Sequence, residues 1–440
     1  MKIELAYGRE GLEFEMPDQA NPVVIRKPPF ELPENPVQLI REALENPVGV
    51  TSLESLASQV SSACILICDI TRPVPNGLFL RPLVEKLLDG GIALDQITVL
   101  VATGLHRPNL GEELEELVGD PWILEHIQVV NHDACNDDEH LMLGFTGKRR
   151  TPVGLDRRFV EADLKIATGL VEPHFMAGYS GGRKVIAPGI AHHSTIRTFH
   201  SARFMEDPLA TSCNLEQNPL HEEQLEIVRM LQGPVLGLNT VIDEQRRLAY
   251  ISFGEIFESH LNAVNFVRCK VEIPVGRKFR TIVTSAAGYP LDKTYYQTVK
   301  GMVTPLDILE VGGRLIIASE CSEGIGSEAF RSAQKNLVEQ GPDSFLEGLT
   351  QKKLADIDEW QTEMQLKPMR IGSIQLFTTG LNEEDRKITG VGQVSSITEA
   401  ISASIAEQGS AEVAVIPEGP YLVPFVQPRN QTDPIKPSLH

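Results

Sequence analysis

The strongest constraint on this chain is a recurrence of short apolar, β-branched runs, each closed by Gly, Asp or Pro and separated from the next by helical spacing. Ala63 to Asp69, Gln96 to Ala102, Ile127 to Asn131 and Leu164 to Thr168 form a first series. Thr281 to Ser285, Arg314 to Ser319, Ile371 to Phe377 and Ala411 to Ile416 form a second. Parallel strands need a crossover connection, usually a helix, so strands that alternate with helices predict parallel, doubly wound sheets. The chain has 440 residues, 42 % of them hydrophobic, which is more than one core usually organises. The expectation is an α/β protein of two α/β domains, each with a mostly parallel sheet flanked by helices.

The junction is expected near Lys270 to Lys278, where Pro274 and Gly276 interrupt the pattern. This gives residues 1–270 as the first domain and 271–440 as the second. Between the two series, Pro219 to Arg229 and Glu255 to Arg268 read as helices and Gly237 to Phe253 as a hairpin. The Pro-, Asn- and Gln-containing tail, Pro424 to His440, is expected to fray or lie over the surface.

Forty basic against 60 acidic residues give a formal net charge of −20, which argues against coating nucleic acid or an anionic membrane. Six cysteines without paired spacing, and an N-terminus lacking a charged-then-apolar pattern, point to a reducing cytoplasm. Runs such as Ala63 to Cys68 are too short to span a bilayer. An anionic substrate would have to be drawn in by local Arg, Lys and N–H groups against the global charge.

Ligands of doubly wound sheets sit beyond the carboxyl ends of the strands. Those ends carry Asp69-Ile-Thr71-Arg72-Pro, Thr103-Gly-Leu-His106-Arg, Asn131-His-Asp and the long loop Glu172-Pro-His174-Phe-Met176-Ala-Gly-Tyr-Ser-Gly181-Gly182-Arg-Lys184. His106 and His174 thus follow different strands. Imidazoles titrate near neutral pH, and two of them facing one substrate make an acid/base pair suited to inverting a stereocentre.

The loop through Gly178, Gly181 and Gly182 exposes N–H groups as anion loops do, but it lacks the Walker spacer, and Val185 follows the lysine where Ser or Thr would be needed. An ATPase is disfavoured. Lys184 is left as either a covalent attachment point or an anion clamp. His200 ends a helical stretch, His192 to Phe199, with His193 seven positions before it. A zinc hydrolase using His174, His193 and His200 matches in residue type but not in the tight i, i+4 spacing of zinc helices. His192 and His193 also read as ordinary surface residues at a helix start. In the second half, Gln297 and Lys300 share a helix face and can hold a carboxylate together, while Tyr296 can stack on a flat ring. Ser322-Glu-Gly-Ile-Gly-Ser reads as a turn.

Taken in order, the Asp69-x-Thr71-Arg72-Pro loop, the Thr103-Gly-x-His106-Arg turn, the Glu172-Pro-His174 to Lys184 loop, His200 and Gly288-Tyr-Pro-Leu-Asp…Tyr296-Gln297…Lys300 resemble the nickel-dependent lactate racemase family. The resemblance implies an active site in the cleft between the two domains. It also implies a nickel pincer nucleotide, a pyridinium-3-thioamide-5-thiocarboxylic acid mononucleotide, held through Lys184 as a thioamide, with His200 as the protein ligand to nickel. His106 and His174 would be the catalytic bases. Arg72, Gln297, Lys300 and Trp360 would bind a 2-hydroxy acid. Asp69, Thr71, Met176, Gly181, Gly182 and Tyr296 would surround the cofactor, Met176 standing where members often carry an aromatic. Other proteins build such a cofactor, so the chain expressed alone would lack it. Larger 2-hydroxy acids are open alternatives to lactate, and Arg107, Arg183 and Arg197 are candidates to read a second polar group. A non-catalytic cofactor carrier is a further alternative.

Overall fold

In this computed structural model the described residues are 1–427. They form two compact units. Among the described residues, the N-terminal unit comprises 29–199 and 214–269, and the C-terminal unit comprises 1–28, 200–213 and 270–427. Two pieces of the first half, 1–28 and 200–213, group with the C-terminal residues instead.

The N-terminal unit is built on six strands in the order Leu248–Glu255, Val235–Ile242, Leu164–Leu170, Ala63–Cys68, Ile97–Ala102, Gln128–Asn131. Neighbours are parallel except the edge pair Val235–Ile242 and Leu248–Glu255, the antiparallel hairpin expected from its alternation. Every residue of Leu164–Leu170 is buried, as a central parallel strand covered on both faces requires. Helix Asn76–Asp89 covers one face with Phe79, Leu80, Leu83, Val84 and Leu87, all fully buried. Each such side chain contributes about 1.5–3 kcal/mol through the apolar area it removes from water.

From Ala63–Cys68 the chain first builds outward through Ile97–Ala102 and Gln128–Asn131. It then returns to place Leu164–Leu170 on the opposite side. The order therefore reverses between Ala63–Cys68 and Leu164–Leu170, and such a reversal opens a crevice at the carboxyl ends of the two strands. The Asp69 and Glu172 loops leave the sheet at that point.

The C-terminal unit repeats the plan with six parallel strands, Gly392–Val394, Ser373–Phe377, Leu309–Ala318, Phe279–Ser285, Glu412–Ile416 and Asn21–Val24. The last is a sequence-level omission. Asn21-Pro-Val-Val is short and carries a proline, tolerable only because this strand is the sheet's edge. The expected strand from Ile371 begins at Ser373, since helix Glu359–Ile371 runs up to it. The tail departs from expectation too: Val423–Phe425 is buried and pairs in parallel with Glu272–Pro274. The remainder of that tail, 428–440, lies outside the described residues. No helix among the described residues is long and apolar enough to cross a membrane.

Candidate functional site

Asp69 stands one residue beyond strand Ala63–Cys68 and is 4 % exposed. Its Oδ2 lies 2.5 Å from Nδ1 of His106, and its Oδ1 accepts from the Thr71 hydroxyl at 2.6 Å. Burial raises the carboxyl's proton affinity, but the His106 contact, Thr71 and the charge of Arg72 outweigh it, and its pKa is lowered. An ionised carboxylate on Nδ1 fixes the proton there, so Nε2 of His106 is the lone-pair nitrogen. That ring is 59 % exposed, so Nε2 is open to solvent.

His174, 8 % exposed, lies in the short hairpin that pairs Pro173–His174 with Gly178–Tyr179. Its Nδ1 accepts from the N–H groups of Ala177 at 3.2 Å and Met176 at 3.4 Å, so the neutral ring carries its proton on Nε2. The two histidines are thus held in opposite tautomers. They follow strands that lie on either side of Ala63–Cys68, whose own loop supplies Asp69 and Arg72. Arg72 pairs with Glu172 across the point where the strand order reverses. The sequence carries no signal of this pairing, since the two residues lie 100 positions apart.

Lys184 sits in the one-turn helix Arg183–Ile186, opened by Gly181 and Gly182 with φ of +79° and +49°. A Cβ on Gly182 would come within 2.9 Å of the His260 side chain, and one on Gly181 within 2.6 Å of Val171. Both the conformation and the packing demand glycine. The charges of Arg72 and Lys184 reach Cys68, whose thiol burial nonetheless pushes up to about 11.

Arg183 corrects an expectation. It is 1 % exposed and turned inward, not toward a ligand. Its guanidinium donates to Ala177 O at 3.1 Å, Tyr179 O at 3.0 Å, Gly181 O at 3.3 Å and His221 Nδ1 at 2.9 Å, and contacts His260 Nε2 at 2.8 Å. Burial without a carboxylate lowers its pKa to about 9. Burial, followed by the arginine's charge, holds His221 and His260 well below the usual histidine range, so both stay neutral; His221 accepts from Arg183 through Nδ1, while His260 Nε2 also lies 2.9 Å from Ser180 O. Arg183 thereby ties together the loop that carries His174 and Lys184. His221 and His260, 38 and 77 residues distant, gave no sequence signal. Arg107 is likewise engaged, in a two-pronged pair with Glu113 at 2.6 and 2.7 Å.

The C-terminal unit gathers its own set. Thr294 caps helix Tyr295–Val303, on which Tyr296, Gln297 and Lys300 lie within two turns. Tyr296 packs edge-on against Phe330 at 5.1 Å and accepts from the Trp360 indole N–H at 3.3 Å. Burial raises its phenol pKa strongly. Trp360 is 7 % exposed, and its ring lies 4.5 Å from that of His200. Gln361 donates to Tyr296 O at 2.7 Å, locking helix Glu359–Ile371 to the tyrosine. His200, Trp360 and Tyr296 thus form one continuous aromatic contact, 160 residues apart in sequence between the first two.

Residues 7–212 match the model of the lactate racemase N-terminal domain, and residues 277–423 that of the lactate racemase C-terminal domain. The lactate racemase of Thermoanaerobacterium thermosaccharolyticum is 30 % identical over 431 residues, covering 95 % of this chain and 97 % of that protein. That of Lactiplantibacillus plantarum is 30 % identical over 430 residues, with 95 % and 98 % covered. The solved structure of the Thermoanaerobacterium lactate racemase apoprotein superposes with a TM-score of 0.88 at 29 % identity, over 96 % of this chain and all of that one. A Thermotoga maritima protein, at 18 % identity and TM-score 0.60, shares the fold. With both domain models matched in order and the relatives covered nearly end to end, this chain belongs to the lactate racemase family.

Proposed function

We propose that this protein racemises or C2-epimerises a 2-hydroxy acid, with lactate the first substrate to try. The observation that carries the reading is the Asp69–His106 pair at 2.5 Å, with His174 following the strand on the other side of Ala63–Cys68. The relatives named lactate racemase support the reaction class.

The donor set fits a group that brings its own metal ligands. One imidazole, His200, lies against an indole, and a lysine follows a glycine turn, with no cysteine cluster among the described residues. We assign Lys184 to hold a nickel pincer nucleotide and His200 to ligate its metal, with Tyr296, Thr71, Met176, Gly181 and Gly182 around it. When bound, that group supplies a reversible acceptor for the α-hydrogen and its electron pair. The Thermoanaerobacterium neighbour, described as an apoprotein, is in keeping with a removable group.

The chain's own residues do the proton work. Nε2 of His106, its lone pair fixed by Asp69, would remove the hydroxyl proton of one antipode; only when the α-hydrogen also leaves with its electron pair would C2 become the planar carbon of a 2-keto acid. His174 serves the other face, where a proton must be returned to oxygen. Arg72, Gln297, Lys300 and Trp360 hold the carboxylate and hydroxyl, the substrate carboxylate competing with Glu172 for Arg72. Positioned acid/base groups of this kind contribute roughly 10²–10⁴-fold each.

The test is loss of optical activity from L-lactate and D-lactate with protein made alongside a pincer-cofactor pathway, followed by a panel of larger 2-hydroxy acids. Interconversion of any of them, abolished in His106→Ala, supports the reading. Inactivity toward every 2-hydroxy acid in nickel-loaded protein would remove it.

A further inference from the structure

Outside the site just described, the N-terminal unit gathers four more histidines with Asp137. His132 and His140 use one another: Nδ1 of His140 donates to Asn136 O at 2.7 Å, which leaves its Nε2 to accept from His132 Nε2 at 3.0 Å. His192 and His193 are arranged differently. Their backbone N–H groups are pinned to Gly154 O and Ala134 O, both at 2.9 Å, which brings the two rings to 4.1 Å from one another. Among the described residues no hydrogen-bond partner occupies either ring nitrogen of His193.

Asp137 projects from the turn Asp137–Glu139 toward the same place. Its Oδ1 lies 2.8 Å from His192 Nε2, and ligand atoms of Asp137, His192 and His193 all lie within 4.8 Å of one another. Nitrogen and oxygen ligands sit about 2.0–2.2 Å from a zinc ion, so neighbouring ligand atoms of one ion are separated by about 3 Å. The existing spacing needs only small side-chain rotation to reach that geometry. Nδ1 of His192 lies 2.7 Å from Ser194 Oγ. Nδ1 also accepts from the Ser194 N–H at 3.3 Å; a metal on Nε2 would put the ring proton on Nδ1, give up that weak contact and let Nδ1–H donate to the hydroxyl, the outer-shell support that metal-bound histidines usually have.

We propose that Asp137, His192 and His193 form a site for a borderline divalent cation, zinc or nickel, tying the turn Asp137–Glu139 to the start of helix His193–Phe199. The remaining coordination positions are filled by water. Two imidazoles and a carboxylate favour this class over calcium or magnesium, which prefer all-oxygen sets. The site is separate from His200 and does not depend on the racemase reading.

The test uses full-length protein carrying His200→Ala, stripped with a chelator and titrated with zinc chloride by calorimetry, with bound metal counted by elemental analysis. The expected result is one zinc per chain, bound at least roughly tenfold more weakly after Asp137→Asn, His192→Asn or His193→Asn. Cobalt(II) should give visible absorption bands that the same substitutions remove. Asp137 is 85 % exposed, so its substitution leaves the fold intact and keeps the test decisive if a histidine variant unfolds. Absence of bound zinc, or unchanged affinity in Asp137→Asn, would overturn the proposal.

Discussion

Asp69 holds Nδ1 of His106, which in the proposed reaction leaves Nε2 for the substrate. Asparagine in its place can present an N–H to Nδ1, which moves the ring proton to Nε2 and removes the base. Asp69→Asn is therefore expected to lower kcat by about 10²–10⁴-fold, with KM little changed, because the substituted group touches the base and not the carboxylate. His106→Ala and His174→Ala should each lower kcat/KM for L- and D-lactate by the same factor. Antipodes have equal free energies, so the equilibrium constant is one and the ratio of the two directions cannot move. Polarimetry from each pure antipode checks this. At this scale the placement of the two histidines after strand ends was legible, because the apolar runs before them stop where the loops begin; their catalytic roles belong to the proposal. Glu172, His221 and His260 were not, because their contacts join positions 38 to 100 residues apart and depend on the folded loop.

The loop from His174 to Lys184 shows where a motif needs its interior. Its glycines were readable as a turn, and the positive φ at Gly181 and Gly182 bears that out. What fills the turn was misplaced: Arg183, grouped with arginines that could read a substrate, supplies the loop's internal hydrogen bonds. A lysine has no planar fork and three donors for these acceptors. Arg183→Lys should cost roughly 2–5 kcal/mol through the buried carbonyl or imidazole groups it leaves unpaired. Thermal unfolding would show the loss, and amide exchange should quicken in 177–184 before the sheet opens. Gly182→Ala should act on the same element by another route. Left-handed backbone costs about 1–2 kcal/mol for a residue with a Cβ, and the added methyl meets the His260 ring.

Across the whole molecule, the strand and helix alternation was enough to give two α/β sheets, since parallel strands leave few other ways to connect. It did not reveal that residues 1–28 and 200–213 group with the C-terminal strands. Asn21–Val24 is too short to announce itself, and His200 follows a helix of the other unit without a break. A charge buried in the C-terminal unit sets one pH response. Burial, then the charge of Glu206, pushes the Glu363 carboxyl from 4.5 up to about 8, and its Oε1 lacks a hydrogen-bond partner. The folded chain thus holds this proton more tightly than the unfolded chain does. The resulting stability is present below about pH 4.5 and is lost as pH rises toward 8. Glu363→Gln should flatten that decline, and its melting temperature relative to the parent should be higher at pH 9 than at pH 5.

The central claim, a racemase whose electron-accepting group is carried by the chain, turns on Lys184. Protein made together with a pincer-cofactor pathway, and shown to interconvert the antipodes of a 2-hydroxy acid, can be digested and the peptide containing Lys184 weighed. The account predicts a mass increase on that lysine, nickel close to one per chain, and loss of both in Lys184→Ala. Full activity with Lys184 at its unmodified mass would contradict it.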